Sequence, residues 1–93
     1  MKSYALFQQY IWLVNTIHKY RKLTLDEINQ HWLDTHMSEG LPIARSTFNR
    51  HRDAILDMFG VIIECDKKDG FRYYIYNAEV LEEDTIQNWM LST

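Results

Sequence analysis

The chain has 93 residues, 46% hydrophobic and 14% aromatic, which is material for one small core and not for two domains. Ten Lys and Arg against 13 Asp and Glu leave a net charge of -3, so any polyanionic partner must be bound by a local patch and not by total charge. With a mean hydropathy of -0.39 and no long apolar run, neither a signal peptide nor a membrane span is expected, and the single cysteine excludes an internal disulfide; the expected location is the cytoplasm.

In chain order, the first predicted element is a helix from Ser3 to about Tyr20, with Leu6, Tyr10, Leu13, Val14 and Ile17 on one stripe. Phe7, Ile11 and Trp12 lie off that stripe, so the helix is apolar around more of its circumference than a surface helix needs. The excess is expected to pack under the rest of the fold, with a dimer interface as the alternative. Lys19-Tyr20-Arg21-Lys22 at its end suits the helix dipole, with a backbone contact to DNA from this loop as the alternative.

A second helix starts redundantly in Leu23-Thr24-Leu25-Asp26-Glu27-Ile28: Thr24 is placed as N-cap, Glu27 closes a capping box, and Leu23 and Ile28 form a hydrophobic staple. Leu25, Ile28 and Trp32 share one side, and the helix is expected to reach about His36. Met37 to Leu41, containing Gly40, then makes a turn, and Pro42 is read as the first turn of a third helix, where its missing N–H has no partner to lose.

That third helix, about 42–58, carries the strongest functional signal. Between Leu41 and Arg52 stand three arginines and no acid, whereas four acids crowd into residues 79–84. Phe48, Ile55 and Phe59 recur at helical spacing and face a core, while Arg45, Asn49 and Arg52 fall on a different stripe. Arginine can hold a phosphate or a guanine edge through two bonds, and asparagine reads adenine, so this stripe is expected to enter a DNA groove with Ser46, Thr47 and Arg50 as further contacts.

Gly60 ends the helix as a left-handed cap. Val61 to Asp66 and Phe71 to Tyr76 then read as two strands joined by Lys67-Lys68-Asp69-Gly70, a wing over 61–76. Alternation puts Val61, Ile63 and Cys65 on one face of the first strand, and Phe71, Tyr73 and Ile75 on one face of the second, with Cys65 a buried, inert thiol. Lys67 and Lys68 at the tip, with Arg72 just inside, are placed to touch the sugar-phosphate backbone or a minor groove. Asp53, Asp57, Glu64, Asp66 and Asp69 dilute this surface, so a monomer is expected to bind weakly.

The fold class these elements imply is mainly α with a small β-hairpin: a winged helix-turn-helix of three helices and a two-stranded wing, then a C-terminal helix in which Ile86, Trp89 and Met90 share a face. The run Ser46-Thr47-Phe48-Asn49-Arg50 with Asp53-Ala54-Ile55 behind it, then Gly60 and the Lys-Lys-Asp-Gly hairpin into Phe71-Arg72-Tyr73-Tyr74-Ile75, resembles the N-terminal winged helix of WYL-domain bacterial transcriptional regulators. Thr47, Phe48 and Arg50 match that family's recognition helix, while His51-Arg52 intervenes before Asp53. The resemblance implies a repressor or activator that binds double-stranded DNA as a homodimer, with a further domain sensing a nucleotide or nucleic-acid ligand.

No Trp-Tyr-Leu signature occurs. Residues 1–78 are therefore read as the DNA-binding domain, and 79–93 as an acidic linker and the start of a helix toward a missing sensor domain. A small protein whose last helix folds back on the first is the competing account. Catalysis, metal and cofactors are not expected: His31 and His36 are five residues apart, His18 and His51 are isolated, and one cysteine makes no zinc site. The alternative function is a winged-helix protein-interaction module without DNA binding.

Overall fold

The computed structural model describes residues 2–82, so the predicted helix bearing Ile86, Trp89 and Met90, and the acids Glu83 and Asp84, lie outside the described residues. Three helices, α1 (Lys2–Tyr20), α2 (Leu25–Trp32) and α3 (Arg45–Phe59), precede an antiparallel hairpin of β1 (Ile63–Asp66) and β2 (Arg72–Ile75). The register pairs Ile63 with Ile75 and Cys65 with Tyr73. Leu23, between α1 and α2, adds a further rung by exchanging both backbone bonds with Tyr73, N to O distances 3.0 and 2.7 Å, so β2 lies between β1 and the chain entering α2.

The core is built from every element: Leu13, Val14 and Ile17 of α1, Ile28 and Trp32 of α2, Phe48 and Ile55 of α3, Ile63, Tyr73 and Ile75 of the hairpin, and Leu81 beyond it. Aromatic edges tie the elements together. Trp12 meets Trp32 at 5.2 Å between centroids, Phe7 meets Phe59 at 5.8 Å and Phe48 meets Tyr73 at 4.7 Å. The excess apolar surface of α1 is thus used within the fold: Ile11 is buried and Trp12 packs on α2, whereas Leu6, placed on the core stripe by periodicity, is exposed. Leu81 sits in a 3-10 turn over Ala78–Glu82, so packing continues past residue 78.

The capping box at Thr24 is present in both directions, Glu27 N–H donating to Thr24 Oγ1 at 3.1 Å and Thr24 N–H to Glu27 Oε1 at 2.9 Å. The helix ends earlier than His36, however, because Thr35 turns extended and its hydroxyl donates to Trp32 O at 2.8 Å, competing with the helical bond. Pro42 likewise lies outside α3. The indole N–H of Trp32 donates to Leu41 O at 2.9 Å, and the Asn29 amide accepts from Ile43 N–H at 2.7 Å while donating to Ile43 O at 3.0 Å. These bonds from α2 hold residues 41–43 out of a helix, and Ala44 is extended as N-cap, so α3 starts at Arg45. A second asparagine does similar work at the base of the hairpin, where Asn77 accepts from Ile62 N–H and donates to Gly60 O, both at 2.8 Å.

Gly60 ends α3 at φ 69°, as its position after Phe59 predicts. Strand β2 begins at Arg72, one residue later than alternation suggests. Gly70 and Phe71 both take positive φ, 65° and 59°, which completes the reversal but leaves Phe71 outside the ladder and exposed. Cys65 is half-buried, not enclosed. No helix among the described residues is long and apolar enough to cross a membrane.

Candidate nucleic-acid interface

α3 reverses the charge rules that α2 obeys. α2 has a capped N-terminus with Asp26 and Glu27 in its first turn and His31 in its last, all matched to the helix dipole. α3 has Ala44 as its N-cap, which offers no capping side chain, has Arg45 and no acid in its first turn, and carries no base in its last, where Asp57 stands. Arg45, Ser46, Asn49 and Arg50 are all exposed there. Cations beside uncapped N–H groups sum to a positive N-terminal end.

The arginines are not equivalent. Arg52 donates through Nε (3.1 Å) and Nη2 (2.6 Å) to Ile63 O, through Nη1 to Asn49 Oδ1 (3.2 Å), and lies over the Tyr73 ring at 5.2 Å. It joins α3 to β1, and with its fork on the hairpin backbone these partners favour a supporting role over the expected reading of a groove. Arg45 donates to Tyr73 Oη at 3.2 Å through one nitrogen and remains exposed. Arg50 lies roughly 140° around the helix from Arg45 and, among the described residues, donates only to Thr47 Oγ1, at 3.3 Å, in place of the turn back to Asp53 or Asp57 that would neutralise it. Thr47 is half-buried as the acceptor of that bond, and Ser46 and Asn49 face solvent between the two arginines.

The hairpin sorts its charges. Asp66 and Asp69 are both held by Lys22, at 2.9 and 3.4 Å from Nζ, and Asp69 also accepts from Arg72 at 3.3 Å. Arg72 has a second acid, Glu27, at 3.9 Å, so it serves as an internal tie and its expected DNA contact is not favoured by its partners. The hydrogen bond from Lys22 holds the Asp66 carboxyl below its ordinary range and raises the Lys22 ammonium above its own. Lys67 and Lys68 are exposed, and no ion pair or hydrogen bond engages their side chains among the described residues, although the Lys68 backbone N–H donates to Asp66 Oδ1 at 3.1 Å. The tip is therefore more basic than Asp-Lys-Lys-Asp suggests.

A cleft of about 240 Å³ lies between the tip and the helix starts, lined by Thr24, Leu25, Asp26, Arg45, Gly70 and Phe71. It places the beginning of α3 and the hairpin tip on one surface. A second cleft, of about 350 Å³ between α3 and β1, is mixed in sign, with Asp53 and Glu64 beside Arg52. His51, in the middle of α3, is buried edge-on against Tyr10 at 5.2 Å, and burial, reinforced by Arg50, lowers its pKa. It is a core group and not a surface contact. Among the described residues no three His, Cys, Asp or Glu gather where they could hold a metal ion.

Three residues with a part in this surface are absent from the sequence-level set. Lys22 reads as the end of a helical basic run but lies past α1, and its acids are more than forty positions away. Tyr73 is placed inward by alternation, yet its hydroxyl and ring hold Arg45 and Arg52. Phe71 is expected in a strand face and is exposed at the tip. No protein-family model, curated protein or solved structure matches the chain.

Proposed function

We propose that this chain binds double-stranded DNA as the DNA-binding part of a transcriptional regulator, with the N-terminal half of α3 in the major groove and the hairpin tip on the backbone or minor groove. The observation that carries this reading is the uncapped, arginine-bearing start of α3, exposed beside a hairpin tip whose acids are paired and whose lysines are not. The element order supports it: two helices, a long connection, a helix and a hairpin that gains a rung from Leu23 are compatible with a winged helix. In this reading Arg45, Ser46, Asn49, Arg50, Lys67 and Lys68 contact DNA, while Arg52 and Arg72 hold the reading surface together.

Assignment to the WYL-domain regulators rests on the residue pattern over 46–55 and 67–75, and carries with it a cytoplasmic homodimer with a ligand-sensing domain. Two copies would place two reading helices on successive turns of one duplex and raise the affinity of a weak single unit.

The test is a fluorescence-anisotropy titration of the chain against random-sequence duplex DNA at low and physiological salt. Binding should fall steeply with salt, and Arg50→Ala, Lys67→Ala and Lys68→Ala should each flatten the logarithmic salt slope by about 1 if each neutralises one phosphate. Absence of binding at low salt, both for the chain and for a dimer enforced by a fused coiled coil, would overturn the proposal.

A further inference from the structure

Phe71 is the least economical residue of the hairpin in the free protein. It is 56% exposed at the tip and adopts φ 59°, a left-handed conformation that bulky side chains rarely take. Asparagine or glycine would relieve both costs. Phe71 is also among the residues that line the cleft, together with Arg45 and the start of α2. Lys67 and Lys68 stand in the same turn without side-chain partners among the described residues, and the neighbouring acids are occupied by Lys22 and Arg72.

An exposed apolar ring in the same hairpin link as two unpaired cations fits a ligand with an apolar wall beside rows of phosphate. The minor groove of duplex DNA has that form, its sides being deoxyribose C–H groups, and apolar side chains are used there as wedges. Resting on the DNA reading above, we infer that Phe71 is a minor-groove contact: with α3 in the major groove, its ring packs against the sugar wall or a base step of the adjacent minor groove, and Lys67 and Lys68 hold the phosphates on either side. The strained backbone fixes where the ring projects, so the contact is formed without first ordering a flexible loop.

The contact predicts a signature unlike that of the cations. Phe71→Asn keeps the positive φ without strain, so its melting temperature should equal or exceed that of the unaltered chain. Its affinity for random duplex DNA should nevertheless drop roughly tenfold, the order expected when one partly exposed aromatic ring loses its burial. Because no phosphate contact is lost, the salt slope should stay unchanged, in contrast to Lys67→Ala and Lys68→Ala. Phe71→Trp should bind at least as well as phenylalanine. If the unaltered chain binds and Phe71→Asn binds equally tightly, this inference fails while the DNA reading stands. If the chain and its enforced dimer bind no DNA, both fail, and the exposed ring would then point to a protein partner.

Discussion

α2 and α3 are neighbours in the chain and opposites in design. α2, eight residues long, carries almost every local device that stabilises a short helix: a reciprocal cap, acids in its first turn, a histidine in its last and three buried apolar residues. α3 is nearly twice as long and omits those devices at its N-terminus, where an alanine stands at the cap and an arginine follows. Its position comes instead from outside, through Arg52 on the Ile63 carbonyl, Phe48 against Tyr73, and Asn77 on Gly60. Positions where a chain sets aside its own local rules while the surroundings compensate are where function is expected.

The largest effect that bears on this contrast should come from the external support. Arg52→Ala removes two bonds to a backbone carbonyl and the cation over Tyr73, and should cost about 1–3 kcal/mol in urea unfolding, whereas Arg50→Ala, on the outer surface, should stay within about 0.5 kcal/mol. Equal losses for the two would show that α3 is not held through this seam.

Substitutions at the two N-caps sharpen the contrast because they should act with opposite signs. Thr24→Ala should destabilise by about 1 kcal/mol. Ala44→Asp introduces the missing acceptor at a residue already in the extended conformation of a cap, φ -69° and ψ 152°, and should stabilise by roughly the same amount. The same carboxylate would sit where a phosphate is expected, so DNA affinity should fall as stability rises. An Ala44→Asp chain that is more stable and binds DNA unchanged would remove the functional meaning of the bare N-terminus.

How much of this was legible in the sequence follows from the range of each interaction. The capping box, the Gly60 stop and the hairpin link are local, and each is readable from residues a few positions apart. The exclusion of Pro42 from α3 depends on Trp32 and Asn29 reaching nine and fourteen residues onward, which no local pattern records, whereas the early end of α2 turns on Thr35, whose hydroxyl competes for Trp32 O three residues back. Helical spacing correctly groups Arg45 with Arg52 but gives only an angle, and tertiary packing decides that this angle faces the hairpin. Pairing across 44 residues hides the role of Lys22 for the same reason.

A smaller effect separates the middle of α3 from its surface. The pKa of His51 lies below the ordinary 6.5, chiefly through burial and secondarily through Arg50. A group that prefers to be neutral in the folded state leaves the unfolded chain with more bound protons as pH falls. Its contribution is therefore complete above pH 6.5 and is lost progressively as pH drops through 6.5 toward the depressed folded value. Melting temperature should decline across that window, the decline should be weaker in Arg50→Ala, and His51→Gln should abolish this component. Carboxylates act later, since Glu27 and Asp66 have pKa values lowered from 4.5 and 3.8 by bonds to Thr24 and Lys22, so their stabilisation disappears as pH falls below those values.

The smallest change in stability should accompany an informative change in binding. Lys22 is exposed and its two acids are only half-buried, and ion pairs this open to solvent add little to folding, so Lys22→Ala should melt close to the unaltered chain. Its loss, however, leaves Asp66 without its lysine and Asp69 with Arg72 alone, beside the two tip lysines. Affinity for duplex DNA should fall even though Lys22 itself is assigned no DNA contact. Adding Asp66→Asn and Asp69→Asn to Lys22→Ala removes the uncovered charge and should restore binding to at least the original level. If affinity stays low in that triple variant, Lys22 contacts phosphate directly and belongs to the interface. Recovery instead places it behind the interface, as the residue that keeps the tip basic in an otherwise acidic chain.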